Sequence, residues 1–170
     1  MKIKKFLLQL FAIHAVLLSW SCSEVECPLD SVVVMTCDLK NMATGEKHTL
    51  TTPLTITPMN RDTILLNQAQ GISNFCLPLK IAAEVDTFLF KFSDAWENKA
   101  IDTLIVTHIN HPHFQSIDCP ASFFHTITSV TWRNQKNSSF PSSIDSVTIK
   151  RALVDYENTT NLQIYLRTDF

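Results

Sequence analysis

Asp86-Thr87-Phe88-Leu89-Phe90-Lys91-Phe92 is the stretch on which the reading of the fold turns. Successive side chains of an extended chain point to opposite faces, so Phe88, Phe90 and Phe92 share one apolar face while Leu89 and Lys91 point the other way. The same alternation recurs in Asp145 to Lys150, where Val147 and Ile149 alternate with Ser146, Thr148 and Lys150. It recurs again in Leu162 to Leu166, where Leu162, Ile164 and Leu166 alternate with Gln163 and Tyr165. A short signature precedes such runs: Asp, then Ser or Thr, then an apolar residue. It stands at Asp30-Ser31-Val32, Asp62-Thr63-Ile64, Asp86-Thr87-Phe88, Asp102-Thr103-Leu104 and Asp145-Ser146-Val147. An Asp side chain bonds its own backbone two residues on and so ends a turn. β-Branched and apolar residues then suit a half-buried pleated surface.

Leu54 to Ile56 and Phe123 to Thr131 add further extended runs. Together these predict about eight to ten short strands, an all-β chain folded as an antiparallel β-sandwich. Only Ile81 to Glu84 and Asp94 to Ala100 read as locally helical, and both are short. The chain has two glycines, Gly45 and Gly71, so its turns must rely on Asn, Asp and Pro. Asn134 to Ser143 is the longest polar loop, and residues 27–170 are expected to form a single domain.

The start of the chain has a different character. Lys2, Lys4 and Lys5 precede an apolar run from Phe6 to Leu18, followed by Ser19, Trp20, Ser21 and Cys22. Charge, short apolar stretch and small residues in that order form a secretory signal, residues 1–21. The run is shorter than the roughly 20 apolar residues that span a bilayer. Cys22 at the junction resembles a lipid-acceptor cysteine of bacterial lipoproteins, which makes residues 22–26 a lipidated tether. In that pattern Leu usually stands three residues before the cysteine; here Ser19 does, and Trp20 is bulky. Ser19-Trp20-Ser21 also suits an ordinary signal peptidase, which would leave Cys22 without lipid. Loss of residues 1–21 removes three lysines and no acid, leaving 149 residues with a net charge of −5. An acidic surface argues against nucleic acid as a partner.

Five cysteines are present, and with Cys22 lipidated four remain, an even number suited to an oxidising compartment. Four cysteines allow three pairings. Cys27 with Cys119 is the expected one: each is followed by proline and lies at the edge of a strand-like segment. Cys37 and Cys76 lie within apolar segments, as a second bridge or as buried free thiols. No Cys-x-x-Cys occurs, which argues against a redox enzyme or a zinc ribbon.

Few residues carry a chemical signature. His108, His111 and His113 form the sharpest cluster, and His111 and His113 would share a strand face. Pro112 lies between them, and no zincin Glu is near, so solvated turn histidines are the expected outcome and no metal is assigned. His125 and Asp118 accompany many serines, but no Gly-x-Ser-x-Gly elbow exists. No calcium loop occurs. Trp96, Trp132, Tyr156 and Tyr165 could stack on sugar rings if exposed, although eleven phenylalanines against two tyrosines point to a largely core role for the aromatics.

Glu26-Cys27-Pro28-Leu29, Asp102-Thr103-Leu104, Phe114 to Cys119, Ile144 to Val147 and Asn161 to Tyr165 follow one another in an order that resembles a family of uncharacterised lipoproteins of Bacteroides-type bacteria, a domain of unknown function. The resemblance implies a cell-envelope β-domain and brings no catalytic residues or cofactor. In such bacteria Asp-Ser/Thr before an apolar residue also resembles an O-glycosylation acceptor, making Ser31, Thr63, Thr103 and Ser146 candidates. Glu24 and Glu26 resemble acidic surface-export signals. The expectation is a non-catalytic envelope lipoprotein, a binding or assembly component lipid-anchored in the outer membrane. Its partners would be the membrane, through the lipid, and an envelope protein or glycan. A carbohydrate-binding module would show Trp96 or Trp132 on a flat face. An envelope hydrolase would show a cleft holding His125 or His108 beside an acid and a nucleophile.

Overall fold

The structure, a computed structural model, describes residues 27, 32–93, 99–134, 142–157 and 159–168. The signal peptide, Cys22 with its tether, Ser31, Trp96 and most of the Asn134–Ser143 loop lie outside the described residues. Ten strands run in the order β1 (Val34–Asn41), β2 (Leu54–Pro58), β3 (Leu66–Ala69), β4 (Asn74–Pro78), β5 (Val85–Ser93), β6 (Lys99–His113), β7 (Ser122–Arg133), β8 (Ser142–Ile149), β9 (Leu153–Val154) and β10 (Thr160–Thr168). They form a four-stranded sheet, β4-β1-β10-β8, and a six-stranded sheet, β3-β2-β5-β6-β7-β9. The all-β sandwich expected from alternation is the fold observed.

The Phe88-Phe90-Phe92 face behaves as the pleat dictates. All three rings are fully buried in β5, as are Met35, Cys37 and Leu39 of β1 and Leu162, Ile164 and Leu166 of β10. Phe90 meets Phe75 of β4 edge-on at 5.9 Å between ring centres, so an aromatic pair spans the two sheets. Pairing is antiparallel throughout except between β1 and β10, which run parallel with Leu39 opposite Ile164. Strands near opposite ends of the sequence thus lie side by side in the middle of the smaller sheet.

Several local expectations are corrected. Ile81 to Glu84 is a bent connection from β4 to β5, not a helix. Lys99 and Ala100, at the end of the second expected helix, already belong to β6. At Lys99 and Ala100 strand pairing with β5 outweighs weak local propensity, and the 81–84 segment is too short to nucleate a helix. Two strands are not short: β6 has 15 residues and β7 has 12. Among the described residues, the Asp-Ser/Thr signature stands at the start of a strand only at Asp86; Asp30 and Ser31 lie outside them. Asp102 and Asp145 lie inside β6 and β8, and Asp62 stands four residues before β3. Asp102 is fully buried on the core face, and its Oδ2 accepts the Ile144 N–H at 2.6 Å, joining the six-stranded sheet to the four-stranded one. Gly45 and Gly71 take left-handed φ values of 72° and 69°, and with so few glycines Asn60 and Gln68 also adopt left-handed backbone, at 63° and 43°.

Cys27 and Cys119 form a disulfide across 92 residues of sequence, with Cα atoms 5.7 Å apart. Cys37 and Cys76 are free, Cys37 buried and Cys76 exposed. The pleat explains why they form no bridge: Cys76 pairs with Thr36, not Cys37, and points out of the sheet that Cys37 points into. Burial pushes the Cys37 thiol far above its ordinary pKa, with Cys76 and Asp38 adding to the shift. Because the bridge closes a loop containing β1 to β6, reduction is expected to destabilise the domain by about 2–4 kcal/mol. Urea unfolding of the oxidised protein and of its reduced, alkylated form measures this. Coincident midpoints would mean that the bridge secures only the segment before β1.

Candidate functional site

The inward row of β5 does not end at Phe88. Asp86 occupies the next inward position, almost fully buried, where alternation would place an apolar side chain. An isolated buried carboxylate is costly, so it must be met by donors. Its Oδ2 accepts the Lys80 N–H at 2.8 Å and the Nε2–H of His108 at 3.0 Å, and its Oδ1 lies 3.2 Å from the Lys80 ammonium. A carboxylate can only accept, so Nε2 of His108 carries the proton. The His108 ring is fully buried, and its Nδ1 has no partner among the described residues.

His108 and Asn110 sit on β6 just beyond its last residue paired with β5, where the 79–84 connection fills the vacated edge. The His108 N–H reaches Glu84 O at 2.8 Å. The Asn110 amide donates to the carbonyls of Lys80, Ile81 and Ala83 at 3.2, 2.8 and 3.0 Å. Those bonds fix the orientation of the amide and leave its oxygen as an acceptor. His125, directly opposite on β7, therefore donates Nδ1–H to Asn110 Oδ1 at 2.7 Å. The rings of His108 and His125 meet edge to face, 5.0 Å between centres.

Burial and the neighbouring His108 push the pKa of His125 down to about 4, His111 adds to the lowering, and Asp86 opposes it. His125 is then neutral when folded but takes up a proton near pH 6.5 when unfolded. Its stabilising contribution is whole above about pH 6.5 and is lost as pH falls toward 4. Thermal melts between those values should show a decline that His125→Gln flattens. An unchanged slope in that variant would assign the decline to other groups.

Beside this network lies a cleft of about 460 Å³ lined by Arg61, Thr63, Leu65, Lys80 and Asp86, with Pro58, Pro78 and Phe88 among its apolar walls. His108 and His125 do not line it. A hydrolase needs the imidazole to face a nucleophile across from its acid. Here the nitrogen of His108 turned away from the acid faces the interior, and no described hydroxyl bonds to it. The arrangement pins the 79–84 connection to β5 and β6, with His125 of β7 bracing Asn110 from behind; it does not present a proton relay to the cleft.

The other residues singled out from sequence are dispersed. His111 is exposed, with Nε2 3.2 Å from Thr126 Oγ1, and His113 stacks on Phe124 at 4.2 Å. Among the described residues no three His, Cys, Asp or Glu side chains gather into a metal-ligand set. Asp118 is exposed in the β6–β7 connection, away from any partner in such a set. Trp132 is half-buried against the core, and Tyr165 is half-buried on β10. Neither forms an open platform. Tyr156 is held by Ser122 and by Gln115, whose amide donates at 2.6 Å. Thr63 is exposed, whereas Thr103 and Ser146 are half-buried within strands.

The polar network itself was not foreseen. Asp86, His108, Asn110 and His125 have no informative spacing in sequence; only strand register brings them together. No curated protein and no solved structure matches the chain. Residues 53–166, from the start of β2 to the end of the alternating face of β10, match the model of a family of unknown function (DUF6452), and the chain belongs to that family.

Proposed function

We propose that this protein is a non-catalytic lipoprotein of a bacterial cell envelope, held by acyl chains on Cys22 in the outer membrane and serving as a binding or assembly component. The observation that carries the reading is the Cys27–Cys119 disulfide, which stands five residues after the junction of a secretory signal. Structural disulfides belong to oxidising compartments, and the charged, apolar and small segments before Cys22 are the address to one. Several acyl chains on one cysteine give stable anchoring where a single chain is marginal. A non-catalytic role is supported by His108, whose acid partner is present but whose free nitrogen is enclosed in the core.

The test is the intact mass of the protein taken from its own membrane fraction, before and after reduction and alkylation. The expected result is a chain beginning at Cys22, carrying acyl groups, with two cysteines that become alkylated only after reduction. A chain that keeps Met1, with every thiol free, would overturn the reading.

A further inference from the structure

Strand directions place the start of β1, the end of β4, the start of β5, the end of β6, the start of β7 and the start of β10 at one end of the sandwich. The Cys27–Cys119 bridge lies at this end, because Cys119 belongs to the connection between β6 and β7. The five most exposed large apolar side chains among the described residues are Ile117 at 98 %, Val32 at 67 %, Phe114 at 66 %, Ile81 at 55 % and Ile64 at 54 %. All five sit in the segments that meet there: before β1, between β2 and β3, between β4 and β5, and between β6 and β7. Met42, next in exposure, lies at the far end of β1.

The loop that carries Phe114 and Ile117 is braced. Gln115 donates to Tyr156, Ser122 bonds the same hydroxyl, Cys119 N–H reaches Ser116 O at 3.3 Å, and the disulfide ties the loop to Cys27. Ile117 is thus held outward, and while a lone exposed apolar side chain is ordinary, large apolar side chains gathered at one end of a domain mark a contact surface. Cys27 lies five residue steps after Cys22. Fully extended they span about 17 Å, at roughly 3.3–3.6 Å per residue. A lipid on Cys22 therefore keeps the bridge, and the apolar end around it, within that distance of the bilayer.

We infer that this end of the sandwich seats on the lipid surface, with Phe114 and Ile117 of the β6–β7 connection entering the headgroup region beside the anchor. The inference rests on lipidation of Cys22 as proposed above. It turns a tether into a fixed orientation, with the 42–53 connection and the other connections at the opposite end facing away from the membrane.

The full acylated protein, reconstituted in phosphatidylethanolamine vesicles with acyl chains brominated near the headgroup, provides the test. Ile117→Trp and Met42→Trp are compared, each after subtraction of the parent's own tryptophan signal. Bromine should quench Ile117→Trp about threefold or more beyond Met42→Trp, since interfacial side chains sit within about 5–10 Å of the acyl boundary. Equal, weak quenching in protein that floats with the vesicles would overturn the seated orientation and leave the lipid anchor standing. A concentration-dependent blue shift of Ile117→Trp in lipid-free detergent would assign the apolar end to a second copy of the chain and also overturn it. Native membrane-fraction protein found to carry no acyl groups would remove the anchor and the seating together.

Discussion

Phe90→Ala is expected to lower the unfolding free energy by about 3–5 kcal/mol, the cost of deleting a fully enclosed aromatic ring whose site cannot collapse. Collapse is blocked on three sides. Phe90 stands opposite Ile56 of β2 and Asp102 of β6 in its own sheet, and edge-on to Phe75 of the other. Strand pairing fixes the first two neighbours, so the sheets cannot close over the void. The cavity would also open beside the buried Asp102, whose Oδ2 holds the Ile144 N–H. Urea unfolding gives the measurement, with Leu89→Ala as the comparison, because Leu89 is adjacent in sequence and points away from the core. A loss under about 1 kcal/mol at Phe90, or an equal loss at both positions, would mean that the two sheets do not share one packed core.

Asp86→Ala should be comparably damaging, at about 3–5 kcal/mol, for a different reason. It removes few contacts but leaves two enclosed donors, Lys80 N–H and His108 Nε2–H, without acceptors, at roughly 1–3 kcal/mol each, and strips the partner from a half-exposed ammonium. Asp86→Asn, which keeps an acceptor oxygen, should cost clearly less. In the double variant Asp86→Ala with His108→Leu one orphan disappears, so the combined loss should fall short of the sum. Strict additivity would show that the two side chains act independently. Removing the carboxylate also withdraws the one influence that raises the His125 pKa, so in Asp86→Asn the His125 imidazole should titrate even lower than in the parent, as followed by its ring-proton resonances.

These two positions show how far the sequence could be read. Phe90 was legible because alternation is a periodic signal, and β5, β8 and β10 each carry enough repeats to assign a face. Cys27 with Cys119 was legible from neighbouring prolines and strand edges. Asp86 and Asp102 read as turn residues because Asp is usually one; their burial depends on donors from Lys80 in the β4–β5 connection, from His108 on β6 and from Ile144 in the other sheet, which the local pattern does not mark. Cys76 was read as buried from its apolar neighbours, yet a residue inside an apolar run can still face outward when the pleat demands it. The parallel pairing of β1 with β10 left no local mark, since a strand's own residues do not say which neighbour it will find. The apolar end is a further case: Ile64, Ile81 and Ile117 are unremarkable one by one and form a common feature only once the chain directions are known.

The placement of β1 between β4 and β10 also sets the order in which the protein can be made. β1 is among the first strands to emerge and its second neighbour is the last. Until Thr160–Thr168 has been delivered, β1 keeps one hydrogen-bonding edge open, and β8 has nothing to pair with in its sheet. The smaller sheet therefore cannot close before the end of the chain has been delivered. Pairing at such sequence distance is slow to nucleate, and an open edge invites other strands. The last nine-residue strand thus acts as the closing piece of the smaller sheet, and an export route of the kind proposed above would meet that sheet still open.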